Sequence, residues 1–113
     1  MSGLSSRRKG HQFERDVVQL LRGIGYEAIT SRVESKALDD AGVDIYTDAP
    51  YNIQCKYTDK APSYHRLLNE MPTDKAPVVF HKRARLGTVV VIRLEDFLVN
   101  ESCLKILRGL DKS

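Results

Sequence analysis

Phe13, Val17, Leu20, Leu21 and Ile24 recur at i, i+4, i+7, i+8 and i+11, the spacing of one apolar stripe along an α-helix. Gly23 and Gly25 follow, residues suited to a helix end. The period then changes. Tyr26 to Ser31 is a short run bounded by a glycine and by charged residues, and it reads as a first strand. Arg32 to Gly42 is polar and reads as a loop. Gly42 to Thr47 and Tyr51 to Tyr57 are β-rich runs joined by Asp48-Ala49-Pro50, a turn sequence, so they read as a hairpin. Tyr64 to Met71 is spaced for a short helix that Pro72 ends. Pro77 to Phe80 and Thr88 to Leu94 are two β-branched runs, separated by a basic loop from His81 to Gly87. Glu95 and Asp96 open a last amphipathic helix carrying Phe97, Leu98, Leu104, Ile106, Leu107 and Leu110.

This order, α-β-β-β-α-β-β-α, predicts an α/β domain with a central five-stranded mixed sheet flanked by helices. The 113 residues suffice for one hydrophobic core. Residues 1–9, polar and basic, are expected to form a flexible arm ahead of a single domain over residues 10–113. Hydrophobic residues at 42% and charged residues at 29% are the balance of an ordinary globular protein, expected to fold without a cofactor. Cys55 and Cys103 occur with no secretory signal and no bilayer-length apolar run, which places the chain in the cytoplasm with free thiols and away from membranes. His11, His65 and His81 show no zinc spacing with them.

The formal net charge of +3 favours a polyanionic partner. Its distribution says more, since Arg7, Arg8 and Lys9 form one basic cluster and Lys82, Arg83 and Arg85 another. Both suit contacts to phosphate.

Side-chain alternation supplies the candidate chemistry. Val43 and Ile45 are expected to face one way and Asp44 the other. Gln54 and Lys56 share a face opposite Ile53 and Cys55. Pairing the two strands brings a carboxylate, an amide oxygen and an ammonium into one patch. Glu14, at the border of the first helix's apolar stripe, can reach the end of the sheet. Hard divalent cations take oxygen ligands, which makes Asp44 a candidate ligand for Mg²⁺, while Lys56 offers a point charge for a water or a phosphoryl oxygen. Asp39 and Asp40 read as a solvated acidic loop, and Tyr57, Tyr64 and Phe80 as packing residues.

Gly10-His11-Gln12-Phe13-Glu14-Arg15, Gly42-Val43-Asp44-Ile45 and Ile53-Gln54-Cys55-Lys56 resemble the PD-(D/E)XK nucleases, and most of all the archaeal-type Holliday junction resolvases. The resemblance spans roughly residues 7 to 98. It implies a restriction-endonuclease-like fold and a homodimer that cuts four-way DNA junctions with Mg²⁺ or Mn²⁺. It also implies site roles for Glu14, Asp44, Gln54 and Lys56, with Glu14, Asp44 and Gln54 on the metal. The DNA contacts it suggests are Arg7, Arg8, Lys9, Arg15, Ser31, Arg32, Lys82, Arg83 and Arg85. Three positions depart from the motif: Gln54 stands where Glu or Asp is usual, Val43 replaces Pro, and Ser31-Arg32 inverts an Arg-Ser pair. A nuclease of other DNA selectivity and a non-catalytic DNA-binding module are the competing expectations.

Overall fold

The computed structural model describes residues 3–111. Helix α1 (Gly3–Gly23) is followed by β1 (Ala28–Thr30), two short helices α2 (Ser31–Glu34) and α3 (Lys36–Asp40), β2 (Ile45–Thr47), β3 (Tyr51–Tyr57), α4 (Tyr64–Glu70), β4 (Ala76–Arg83), β5 (Gly87–Ile92) and α5 (Leu94–Asp111). The strands form one open five-stranded sheet in the order β1-β2-β3-β4-β5. Only β3 and β4 run parallel, and the other neighbours are antiparallel. The chain is therefore the α/β domain with a mixed sheet and flanking helices that the periodicities predict. Among the described residues no helix is long and apolar enough to cross a membrane.

The parallel step needs a crossover, which α4 provides. Two apolar layers result. On one face α1 lays Phe13, Val17, Val18 and Leu21 against Ala28, Ile45, Ile53 and Val78. On the other, α4 places Leu67, Leu68 and the following Met71 against Val43 and Val79. Each of the larger side chains, Ala28 apart, contributes about 1.5–3 kcal/mol when taken out of water, before the entropy of ordering the chain is set against it. Leu20 and Ile24, expected in the stripe, are exposed; Val18 takes the buried place beside the Phe13, Val17, Leu21 row.

Four expectations need correction. The arm is helical from Gly3 onward, so Arg7, Arg8 and Lys9 ride on α1, while Met1 and Ser2 lie outside the described residues. The expected loop from Arg32 to Gly42 holds α2 and α3, because Ser35 caps α3 with its hydroxyl accepting from the Leu38 N–H at 3.3 Å. The expected basic loop shrinks to Ala84–Leu86, since β4 continues to Arg83 and pairs with β5 down to Gly87. Finally, α5 leaves most of its apolar residues exposed; its Asn100 side chain donates to the Tyr51 hydroxyl at 2.8 Å.

Candidate active site

Asp44 stands just ahead of β2 and is held on three sides. Its N–H donates to the Ile53 carbonyl at 2.8 Å, its carbonyl accepts from the Ser31 N–H at 2.8 Å, and its Oδ2 accepts from the Cys55 N–H at 2.8 Å. Ile45 pairs with Ile53, so a regular antiparallel ladder would set Asp44 against Gln54. The observed bond to Ile53 is one residue out of step. This slip corrects the alternation expected there. Val43 packs with α4 and Ile45 with α1, on opposite faces, and Asp44 sits where β2 and β3 part.

Burial pushes the Asp44 carboxyl up to about 6; the Cys55 N–H bond opposes this, Glu14 adds to it, Lys56 opposes it and Asp39 adds to it. Glu14, Lys56 and Asp39 therefore stand within electrostatic reach of Asp44. The sign for stability follows. Between the ordinary carboxylate range and about 6 the folded chain holds the extra proton, so stability falls as pH rises through that window. Asp44→Asn keeps an oxygen for the Cys55 N–H and removes the charge. In urea unfolding with chelator present, the variant is expected to be more stable than the parent at pH 8, with the gap closing as pH falls below 6. Parallel stability curves would show that Asp44 carries no buried charge.

Glu14 comes from α1 with its side chain only 15% exposed, paired with Arg32 Nε at 3.3 Å. Arg32, a candidate DNA contact, is thus committed to Glu14. Within β3, Ile53, Cys55 and Tyr57 pack toward α1, so Gln54 and Lys56 point to the other face, as alternation predicts. Burial drives the Cys55 thiol far up, with Asp44 and Glu14 adding to it, which leaves Cys55 a protonated, inert wall of the site. Gln54 Oε1 is buried and has no hydrogen-bond partner among the described residues. A buried amide oxygen with nothing to accept from is costly, of the order of 1–3 kcal/mol. Gly42 turns the chain beside it with φ of 82°, a backbone that a side chain there would strain.

The other candidates are spread around this centre. Lys82 Nζ lies 6.0 Å from the Phe13 ring and 5.4 Å from the Tyr57 ring, which ties it to the half of α1 that carries Arg7, Arg8, Lys9 and Arg15. Arg83 ends β4 and Arg85 lies in the β4–β5 turn. Ser31 is fully buried, so its hydroxyl has no surface to offer DNA. Asp39 and Asp40 are exposed on α3, and Asp40 pairs with Lys36 at 3.0 Å. Tyr57 meets Phe13 edge-on and Phe80 joins the α1 layer, so both are packing residues as expected.

His81 was not anticipated. It pairs with Lys56 across the parallel β3–β4 step, on the same face, and is buried. Its Nε2 lies 3.0 Å from the Thr58 carbonyl and 2.9 Å from the Thr58 hydroxyl, and its Nδ1 lies 2.8 Å from the Tyr64 hydroxyl. A carbonyl can only accept, so Nε2 carries a proton and donates toward Thr58. Strand alternation from Val79 would have shown His81 pointing inward.

Among the described residues no three His, Cys, Asp or Glu side chains gather as a ligand set; two carboxylates and the amide of Gln54 are the oxygen donors available. They nevertheless fit a hard cation, because the orphaned Gln54 oxygen and the crowded Asp44 carboxylate each gain from a positive charge. A cavity of about 510 Å³ lies elsewhere, lined by Glu27, Tyr46, Thr47, Asn52 and Lys75 among others. Compared with models of protein families and with curated protein sequences, the chain matches none.

Proposed function

We propose that the chain is a metal-dependent DNA endonuclease of the PD-(D/E)XK kind, acting in the cytoplasm on branched DNA, with four-way junctions as its substrate. The observation that carries this reading is the orphaned oxygen of Gln54, buried one residue from the peptide N–H that binds Asp44 and two residues from Lys56. Binding nucleic acid alone calls for no half-buried carboxylate or unpaired amide. Asp44, Gln54 and Glu14 would hold the cation, and Arg32 balances Glu14 in its absence. Bound Mg²⁺ or Mn²⁺ would supply Lewis-acid polarisation of the scissile phosphate and charge compensation.

The remaining roles belong to the chain's own groups. The Lys56 ammonium orients the attacking water by hydrogen bonding and offsets the charge that grows on the phosphoryl oxygens. The His81, Tyr64 and Thr58 cluster beside it keeps that part of the sheet rigid, which fixes where Lys56 starts from. Arg7, Arg8, Lys9 and Arg15 on α1, with Lys82 beside them, track the DNA backbone. Two cuts across a junction require two such sites, hence two copies of the chain.

Cleavage of a four-way junction, a linear duplex and a single strand of one sequence, with Mg²⁺ or Mn²⁺, tests the proposal. Junction-selective cutting is expected, with junction affinity falling steeply as salt rises. Equal cutting of duplex would assign a nuclease of different selectivity, and junction binding with no cutting at any metal concentration would assign a binding module.

A further inference from the structure

The sheet ends on β5, which is bonded to β4 on one side only. It reads Gly-Thr-Val-Val-Val-Ile, with no proline and no charge, the devices by which exposed edges are usually protected. Val89 and Val90 are each 54% exposed, and Leu86 in the preceding turn more so. After Arg93 the chain enters α5, where Leu94, Phe97, Leu98, Val99, Leu104, Ile106 and Leu107 are between 42% and 69% exposed. An apolar surface of this extent on an edge strand and its following helix marks an interface. An 18-residue helix with so little cover is also marginal in water by itself.

The charges at the two ends of β5 indicate what covers it. The turn before the strand carries Arg83 and Arg85, and the helix start after it carries Glu95 and Asp96. Among the described residues none of the four forms an ion pair. If β5 of a second copy adds antiparallel to this edge, the basic turn of each copy comes alongside the acidic helix start of the other, twice over. The same surface is then used by both chains, so the contact closes and leaves no β5 edge for a third copy. Pairing β5 with the opposite edge would not close, and β1 offers only Ala28–Thr30.

We infer that two copies of this chain associate through antiparallel β5 edges, with Arg83 and Arg85 of each copy facing Glu95 and Asp96 of its partner. This names the contact for the two copies that paired cuts require, and it holds whether or not the chain is a nuclease. Arg83 and Arg85 thereby go to the subunit contact, and Lys82 and α1 keep the DNA.

Sedimentation equilibrium at low ionic strength without DNA tests it on the whole chain. The parent is expected to be a dimer. The charge-swapped variants Arg83→Glu with Arg85→Glu, and Glu95→Arg with Asp96→Arg, should each weaken self-association by about tenfold or more, because like charges then meet at both ends of the strand pair. Mixed in equal amounts they should form a heterodimer of nearly parental strength, since both ends are complementary again. A second variant, Val90→Lys on the exposed edge, should weaken the dimer with no change in circular dichroism. A parent that stays monomeric would mean that something other than a second copy covers this surface. That result, or a dimer indifferent to the charge swaps, overturns the inference.

Discussion

Lys56→Ala is expected to lower the rate of junction cleavage by on the order of a thousandfold, the loss typical when a group that stabilises transition-state charge is removed. Junction binding should change only a few-fold, because the ammonium acts on the water and the developing charge more than on the resting complex. The variant should fold normally, since Lys56 is only partly buried at the rim of β3 and its stem contributes little to either apolar layer. Single-turnover cleavage and a binding titration on the same junction measure both quantities. An unimpaired rate would make Lys56 an ordinary surface residue and would remove the mechanism proposed for it.

Ile53→Ala is expected to cost about 2–5 kcal/mol of stability, the range for truncating a large aliphatic side chain in a packed core. Ile53 is fully buried and lies between Ile45 on β2 and Val78 on β4, with α1 packed over it. Its carbonyl also holds the Asp44 N–H. Against a total stability of about 5–15 kcal/mol, such a loss leaves a substantial unfolded fraction. Urea unfolding should show a lower midpoint with an unchanged slope. A loss below about 1 kcal/mol would mean that the α1 layer does not close over this strand.

Periodicity placed Gln54 and Lys56 opposite Ile53 and Cys55 correctly because β3 is paired along its length with β4, and regular pairing enforces alternation. The same rule failed for Val43 and Ile45. There the chain is one residue out of step with β3, and a slip of one residue exchanges the faces without leaving any mark in the sequence. His81 escaped notice because Lys82, Arg83 and Arg85 follow it, and a basic run reads as a loop; alternation from Val79 turns it inward, and the polar wall that Thr58 and Tyr64 build for it is assembled only by the fold. Helices α2 and α3 are each too short to establish a period. The exposure of α5 was hidden for a different reason. Its apolar content was plain, but periodicity reports that a face needs cover and not whether this chain supplies it.

Glu14, Asp44, Gln54 and Lys56 could be singled out as candidates from the sequence, yet the features that distinguish Asp44 and Gln54 in the fold could not. The upward displacement of the Asp44 carboxyl depends on burial and on Glu14 arriving from α1, and the orphaned Gln54 oxygen depends on what surrounds it in three dimensions. Both are features that a bound cation would relieve, which is the basis of the metal site proposed above.

A Mg²⁺ titration of cleavage on one junction substrate, comparing the parent with Gln54→Glu, tests that central claim most directly. Exchanging the amide for a carboxylate adds a negative charge beside the cation and should lower the Mg²⁺ concentration for half-maximal cutting by roughly tenfold, about 1.4 kcal/mol of extra attraction. The maximal rate can move either way, so the midpoint is the readout. Cutting by both proteins with the variant's midpoint shifted down is the predicted result. An unchanged midpoint, or no cutting of junction, duplex or single strand by either protein at any Mg²⁺ concentration, would contradict it.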